Sequence, residues 1–147
     1  VRSAAGAVGI MQLLPTTARD KNVGIPDIEQ AEPNIHAGIK YLDFLRRRYF
    51  HDPAITPINQ WLLALAAYNA GPSRMAGMRE RAAEKGYDPN VWFDNVELVA
   101  AQEIGRETVQ YVSNIFRYYL TYRMIAEQEL KHAAARRAMG MDDAPDL

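Results

Sequence analysis

The chain has 147 residues, 48% hydrophobic and 24% charged, and its 17 Lys and Arg against 18 Asp and Glu leave a formal charge of −1. A single domain of this length buries roughly 68–70% of the surface its unfolded chain exposes, so no staple is required, and the composition excludes wholesale disorder. Near-neutrality gives no electrostatic basis for nucleic acid or an anionic membrane surface as partner, and the lack of Cys removes disulfides, thiolate metal sites and Cys nucleophiles without fixing a compartment.

No stretch approaches the roughly eighteen consecutive apolar residues of a membrane span, and Val1 to Gln12 lacks the layout of a signal peptide. The chain opens without Met, in VRSAAGAVGIMQ, and reads as a fragment or a processed piece. Thr16 or Thr17 is expected to cap a short helix. From Pro33 to Phe50, Ile35, Ile39, Leu42, Leu45 and Tyr49 recur at spacings of three and four, which predicts an amphipathic helix with Asn34 as its N-cap. His51 to Pro53 ends it. A second helix is predicted over Asn59 to Ala70, apolar nearly all round through Trp61, Leu62, Leu65, Ala66 and Tyr68, as suits the centre of a core. Gly71 and Pro72 stop that helix, and Pro72 opens a third through about Glu84, closed by Gly86. YDPNVWFDN reads as a turn and a short helical piece. The longest helix is predicted from near Glu103 to about Ala138, its apolar steps running through Val109, Val112, Phe116, Tyr119 and Leu120. From Glu127 the stripe fades, so that end is expected to project or fray, and MGMDDAPDL is tail. No run alternates convincingly as a strand, so the fold class is all-α. Residues 1–126 are expected to form the domain and 127–147 a polar helical extension and tail.

Chemistry has few carriers. Ser3 to Ala18 sets two glycines and several small residues before Met11 and Gln12, which lets backbone pass close to a ligand with one amide aimed at it; a tight turn with a surface Gln12 fits the residues as well. It is not a phosphate loop. AAYNAGP places the Tyr68 hydroxyl and the Asn69 carboxamide at a helix end, where they either cap it or reach a cleft. Tyr111, one turn into the long helix, is either core or site. Glu103 and Glu107, four apart near a helix start, are explained by the helix dipole. His36, His51 and His132 lack ligand spacing, so no zinc site is expected. Amides that donate and accept, beside several ring faces, suit a neutral polyhydroxylated or N-acetylated ligand.

In this order, SAAGAVGIMQLLPTTA, NIHAGIKYL, ALAAYNAGP and ETVQYVSNI resemble the catalytic domain of lytic transglycosylases of the soluble, goose-lysozyme-like type, over about Ser3 to Tyr122, with the membrane-bound murein transglycosylase F group the nearest match. The resemblance implies an α-helical lysozyme-like fold that cleaves peptidoglycan between N-acetylmuramic acid and N-acetylglucosamine and leaves a 1,6-anhydromuramoyl end, with no metal or cofactor. It implies a monomer on peptidoglycan glycan strands in a bacterial periplasm or at its outer membrane. One carboxylic acid protonates the glycosidic oxygen, the substrate's N-acetyl group assists, and the carboxylate then takes the C6 hydroxyl proton as the ring closes; such substrate assistance is a recognised exception to the two-carboxylate rule. By position Met11, Gln12, Tyr68, Asn69 and Tyr111 match residues lining the glycan cleft, with Tyr111 also expected to support catalysis, and Ser3 a small polar residue near the acid. The acid itself is a Glu in a Glu-Ser pair on a helix before the segment matching Ser3 to Gln12, expected upstream of Val1. The chain is then a piece of a longer enzyme, or a domain that binds glycan without cutting it. A goose-type lysozyme, which hydrolyses the same bond, and a helical module with no glycan function are the alternatives.

Overall fold

The computed structural model describes residues 2–141, so the last six residues of the expected tail lie outside the described residues. Helices follow one another as α1 (Pro15–Arg19), α2 (Ala31–Tyr49), α3 (Pro57–Ala70), α4 (Pro72–Glu84), α5 (Glu97–Glu103) and α6 (Arg106–Ala138), with one irregular wide turn at Trp92–Val96 before α5. Among the described residues the only β pairing is two isolated antiparallel bridges, Arg2 with Val8 and Val8 with Leu13. The all-α expectation holds.

The chain falls into two units, Val1–Val112 and Ser113–Leu147. In the first, α3 packs against both α2 and α4. Its mean character is apolar enough to bury Leu62, Leu63, Ala64, Ala66 and Ala67, and each such side chain removed from water contributes in proportion to its apolar area. Trp61 departs from that pattern: it is 39% exposed, with the Arg46 guanidinium over its ring at 4.7 Å. A smaller cluster of Val8, Leu13, Ala18, Val23, Ile28 and Ala37 seats the N-terminal loops on α2. In the second unit, the Phe116 and Tyr119 rings lie 6.2 Å apart, and Arg123 pairs with Glu127 one turn on at 2.9 Å.

Helix starts differ from the pattern-based expectation for local reasons. α1 begins on Pro15, whose missing N–H costs nothing in a first turn, and Leu14 occupies the N-cap; neither Thr16 nor Thr17 caps it. α2 begins at Ala31, with Gln30 at its N-cap, because Pro33 is tolerated within the first turn. Asn34 is therefore inside the helix, its N–H donating to the Gln30 carbonyl at 3.1 Å, and is no cap. The buried face of α2 is Asn34, Ala37, Gly38 and Leu45, whereas Ile35 and Ile39 are exposed. The chain also breaks between α5 and α6 at Gly105, whose φ of 89° needs glycine. Glu103 consequently sits at the end of α5, ion-paired with Arg81 and, at 3.6 Å, Lys85. Its place owes nothing to the dipole of α6.

Candidate functional site

The loop from Ser3 to Leu13 is shaped by two features of its sequence. Ser3 closes its first turn: its Oγ accepts from the Ala7 N–H at 3.0 Å, while its own N–H donates to the Ala7 carbonyl at 2.9 Å. Gly9 then passes directly over α2. A Cβ at Gly9 would meet the Asn34 side chain at 2.5 Å, and its φ of +76° is one that side chains rarely adopt, so only glycine admits the approach.

Asn34 uses that approach fully. Wholly buried, it donates from Nδ2 to the carbonyls of Val8 at 2.9 Å and Ile28 at 3.0 Å, and its Oδ1 accepts from the Met11 N–H at 2.8 Å. The Met11 carbonyl is held from the other side by the Tyr68 hydroxyl, which donates to it at 2.8 Å. Met11 is thus held through its N–H by α2 and through its carbonyl by α3, and its side chain lies against Gly38, where a Cβ would come within 2.7 Å of it. Gln12 follows in the left-handed region at φ 48°, exposed, with its Nε2 donating to the Gly9 carbonyl at 2.8 Å.

At the end of α3, Asn69 accepts at Oδ1 from the Thr108 hydroxyl, 2.7 Å away, which fastens the first turn of α6 to α3. Tyr111 stands one turn further on, partly buried. Burial raises the pKa of Tyr68 and of Tyr111 above the ordinary phenol value of 10.0, and for Tyr68 the nearby phenols of Tyr111 and Tyr41 add to the effect. Met11, Tyr68 and Tyr111 are thereby drawn into one neighbourhood, with Gln12 and Asn69 as chain neighbours. Ser3 serves its own turn.

Pattern reading missed Asn34, because an Asn after Pro looks like a cap. It also passed over Tyr41, whose ring tilts against that of Tyr68 at 5.4 Å between centroids. The i, i+4 relation of Ala37 and Tyr41, behind the buried face of α2, was the available signal. Among the described residues no three of His, Asp and Glu gather as a metal site, and no helix is long and apolar enough to cross a membrane.

Comparison with known proteins points one way. The profile of the family described as transglycosylase SLT domain matches residues 1–91. The chain is 34% identical over 131 residues to a membrane-bound lytic murein transglycosylase F of Desulfosudis oleivorans, an alignment that takes in 80% of this chain and 28% of that protein. To the protein of the same name from Shewanella woodyi it is 35% identical over 141 residues, 86% of this chain and 28% of the relative. A membrane-bound lytic murein transglycosylase F 1 of Alkalilimnicola ehrlichii is 31% identical over 156 residues, covering 97% and 31% respectively. The chain therefore spans less than a third of the length of these curated relatives.

Proposed function

Because the chain belongs to the transglycosylase SLT domain family, we propose that it supplies the glycan-holding body of a peptidoglycan lytic transglycosylase. The substrate is the β-1,4 bond between N-acetylmuramic acid and N-acetylglucosamine, and the product end is a 1,6-anhydro sugar. The observation that carries this reading is the fixing of the Met11 backbone, its N–H by Asn34 and its carbonyl by Tyr68. It presents the exposed Gln12 amide from a braced loop beside partly buried phenols, and an N-acetylated sugar needs both: an amide that donates and accepts, and aromatic surface. Tyr68, Asn69 and Tyr111 are assigned to the same cleft.

In the reaction, a carboxylic acid gives its proton to the glycosidic oxygen as that bond breaks, and the substrate's N-acetyl oxygen bonds to the anomeric carbon. The carboxylate then takes the C6 hydroxyl proton while O6 displaces the N-acetyl oxygen and closes the ring. A group doing this near neutral pH needs a raised pKa. Here the displaced carboxylates move the other way. Asp20 is lowered by hydrogen bonds from the Asn22 backbone and side chain. At Asp43 burial pushes upward, but hydrogen bonds and charge from Arg46 and Arg47 outweigh it and hold the carboxyl below 3.8. Glu103 is tied to Arg81 and Lys85, and Glu29 to Arg2. These four carboxylates are not assigned as that acid; following the family resemblance, the acid is assigned to residues upstream of Val1, and the chain to holding and orienting glycan on the periplasmic side, where murein lies.

The test is chromatography of sacculi digested with the 147-residue chain and with a form including whatever its gene encodes upstream of Val1. The chain alone is expected to bind sacculi and release no anhydromuropeptides, and the longer form to release them. Reducing muramic ends from the longer form would make the enzyme a hydrolase. Anhydro products from the chain alone would place the acid among its own carboxylates.

A further inference from the structure

Two adjoining cavities flank α2 beyond Tyr41. The first, about 390 Å³, is lined by Thr16, Thr17, Asp20 and Asn22 on one wall and by Tyr41, Phe44 and Tyr49 on the other. The second, about 440 Å³, shares Asn22 and Phe44 with it and adds Lys40, Asp43, Arg47 and Arg48. Their chemistries differ.

The first has the make-up of a sugar pocket. The Tyr41 and Phe44 rings are 6.3 Å apart and nearly parallel, inclined by 20°, which offers a ring face to stack on. Opposite, both hydrogen bonds from Asn22 to Asp20 fall on Oδ1, so Oδ2 is left to accept from a sugar hydroxyl, and the lowered pKa keeps it an acceptor. Because the Tyr41 ring also lies against Tyr68, this pocket begins one ring away from the peptide that presents Gln12.

The second cavity is cationic on a chain whose net charge is −1. Asp43 is already engaged by Arg46 at 3.0 Å and by Arg47. Lys40 has no ion-pair partner among the described residues, and Arg48 only overlies the Tyr49 ring at 5.9 Å. Two cations are thus left uncompensated around a cavity wide enough for a carboxylate and its chain, where such a pair binds an anion more strongly than an open surface does.

Resting on the reading of peptidoglycan as substrate, we propose that the double cavity is a subsite for a peptide-bearing amino sugar remote from the bond that is cut. The sugar ring sits against Tyr41 and Phe44 with a hydroxyl on Asp20, and a carboxylate of its stem peptide sits on Lys40 and Arg48. The site makes the protein prefer strands that still carry stem peptides over stripped ones.

Equilibrium binding of purified glycan strands, with stem peptides intact or removed by an amidase, tests this with the wild-type chain and with the double variant Lys40→Gln, Arg48→Gln, both exposed positions that leave the core untouched. The wild type is expected to bind intact strands roughly three- to tenfold more tightly, the scale of partly shielded charge-assisted contacts, and to lose part of that preference as salt rises. The double variant should bind both kinds of strand equally, at the wild type's affinity for stripped strands. Equal affinity of the wild type for both, or a preference that survives in the variant, overturns the subsite and leaves the glycan reading intact; no binding to either strand overturns the glycan reading itself. If the cations instead bind vesicles containing anionic lipid, with no preference between strands, the stem-peptide assignment is wrong.

Discussion

Gln12 is held at φ 48°, where a side chain costs about 1–2 kcal/mol, although its amide makes only an exposed bond to the Gly9 carbonyl. Under the proposed function, that strain is accounted for by the amide the residue presents to glycan. Gln12→Gly releases the strain and loses a weak bond and about 0.5–1 kcal/mol of chain entropy, so folding stability should stay within about 1 kcal/mol. Glycan binding should fall roughly two- to tenfold, the worth of one amide contact; denaturation and binding isotherms on the same preparation separate the two effects. Asn34 is the opposite case. Asn34→Ala strands the Met11 N–H and the Val8 and Ile28 carbonyls in a buried site, at about 1–3 kcal/mol for each group that water cannot reach. A loss of about 3 kcal/mol in the denaturation free energy is expected. None of this shows in the string EPNIHAG, where the same Asn would serve equally well as a cap; its role depends on a loop more than twenty positions away.

Between elements, the closest fit lies where α2 meets the Met11 loop. Ala is normally the better helix residue, by about 0.5–1 kcal/mol over Gly. At Gly38, however, a Cβ would meet the Met11 Cβ at 2.7 Å, along with its Cγ and Cε, and the Cβ cannot swing aside without the backbone. The clash outweighs propensity. Gly38→Ala is expected to lower the thermal midpoint and weaken glycan binding; a variant as stable as the wild type with unchanged binding would show that the loop is free to shift. Element boundaries were legible where punctuation was strong. Pro72 and Gly86 fixed α4 because the one opens a first turn and the other takes a φ of 83° past its end. The break at Gly105 was hidden by Glu103 and Glu107, whose spacing suits one continuous helix although the first belongs to α5 and pairs with α4.

Across the first unit, Tyr41, Tyr68 and Tyr111 all have pKa values raised chiefly by burial. In the unfolded chain these phenols ionise at the ordinary 10.0, while in the fold they keep their protons to higher pH. Their contribution is therefore complete below pH 10.0 and is lost as pH rises through the folded values, with a slope of up to about 1.4 kcal/mol per pH unit for each tyrosine. Tyr68→Phe should remove about one tyrosine's share of that alkaline slope, as read from denaturation at a series of pH values. An unchanged slope would mean that the Tyr68 phenol ionises alike in both states. The all-α class could be read from the chain because helical spacings recur and no run alternates as a strand; the bond from the Tyr68 hydroxyl to the Met11 carbonyl then joins two of the sequence blocks. The double cavity could not be read there, since its walls come from α1, the loop after it and the last turns of α2 from Lys40 to Tyr49. Met11 has a further consequence in time. Its amide hydrogen ends on α2 and its carbonyl on α3, so deuterium enters that one position only when the loop lifts away from α2. Its exchange rate is a clock for loop opening, and a glycan that binds the closed loop should slow it while leaving the amides of α6 beyond Ser113 ticking at their own pace.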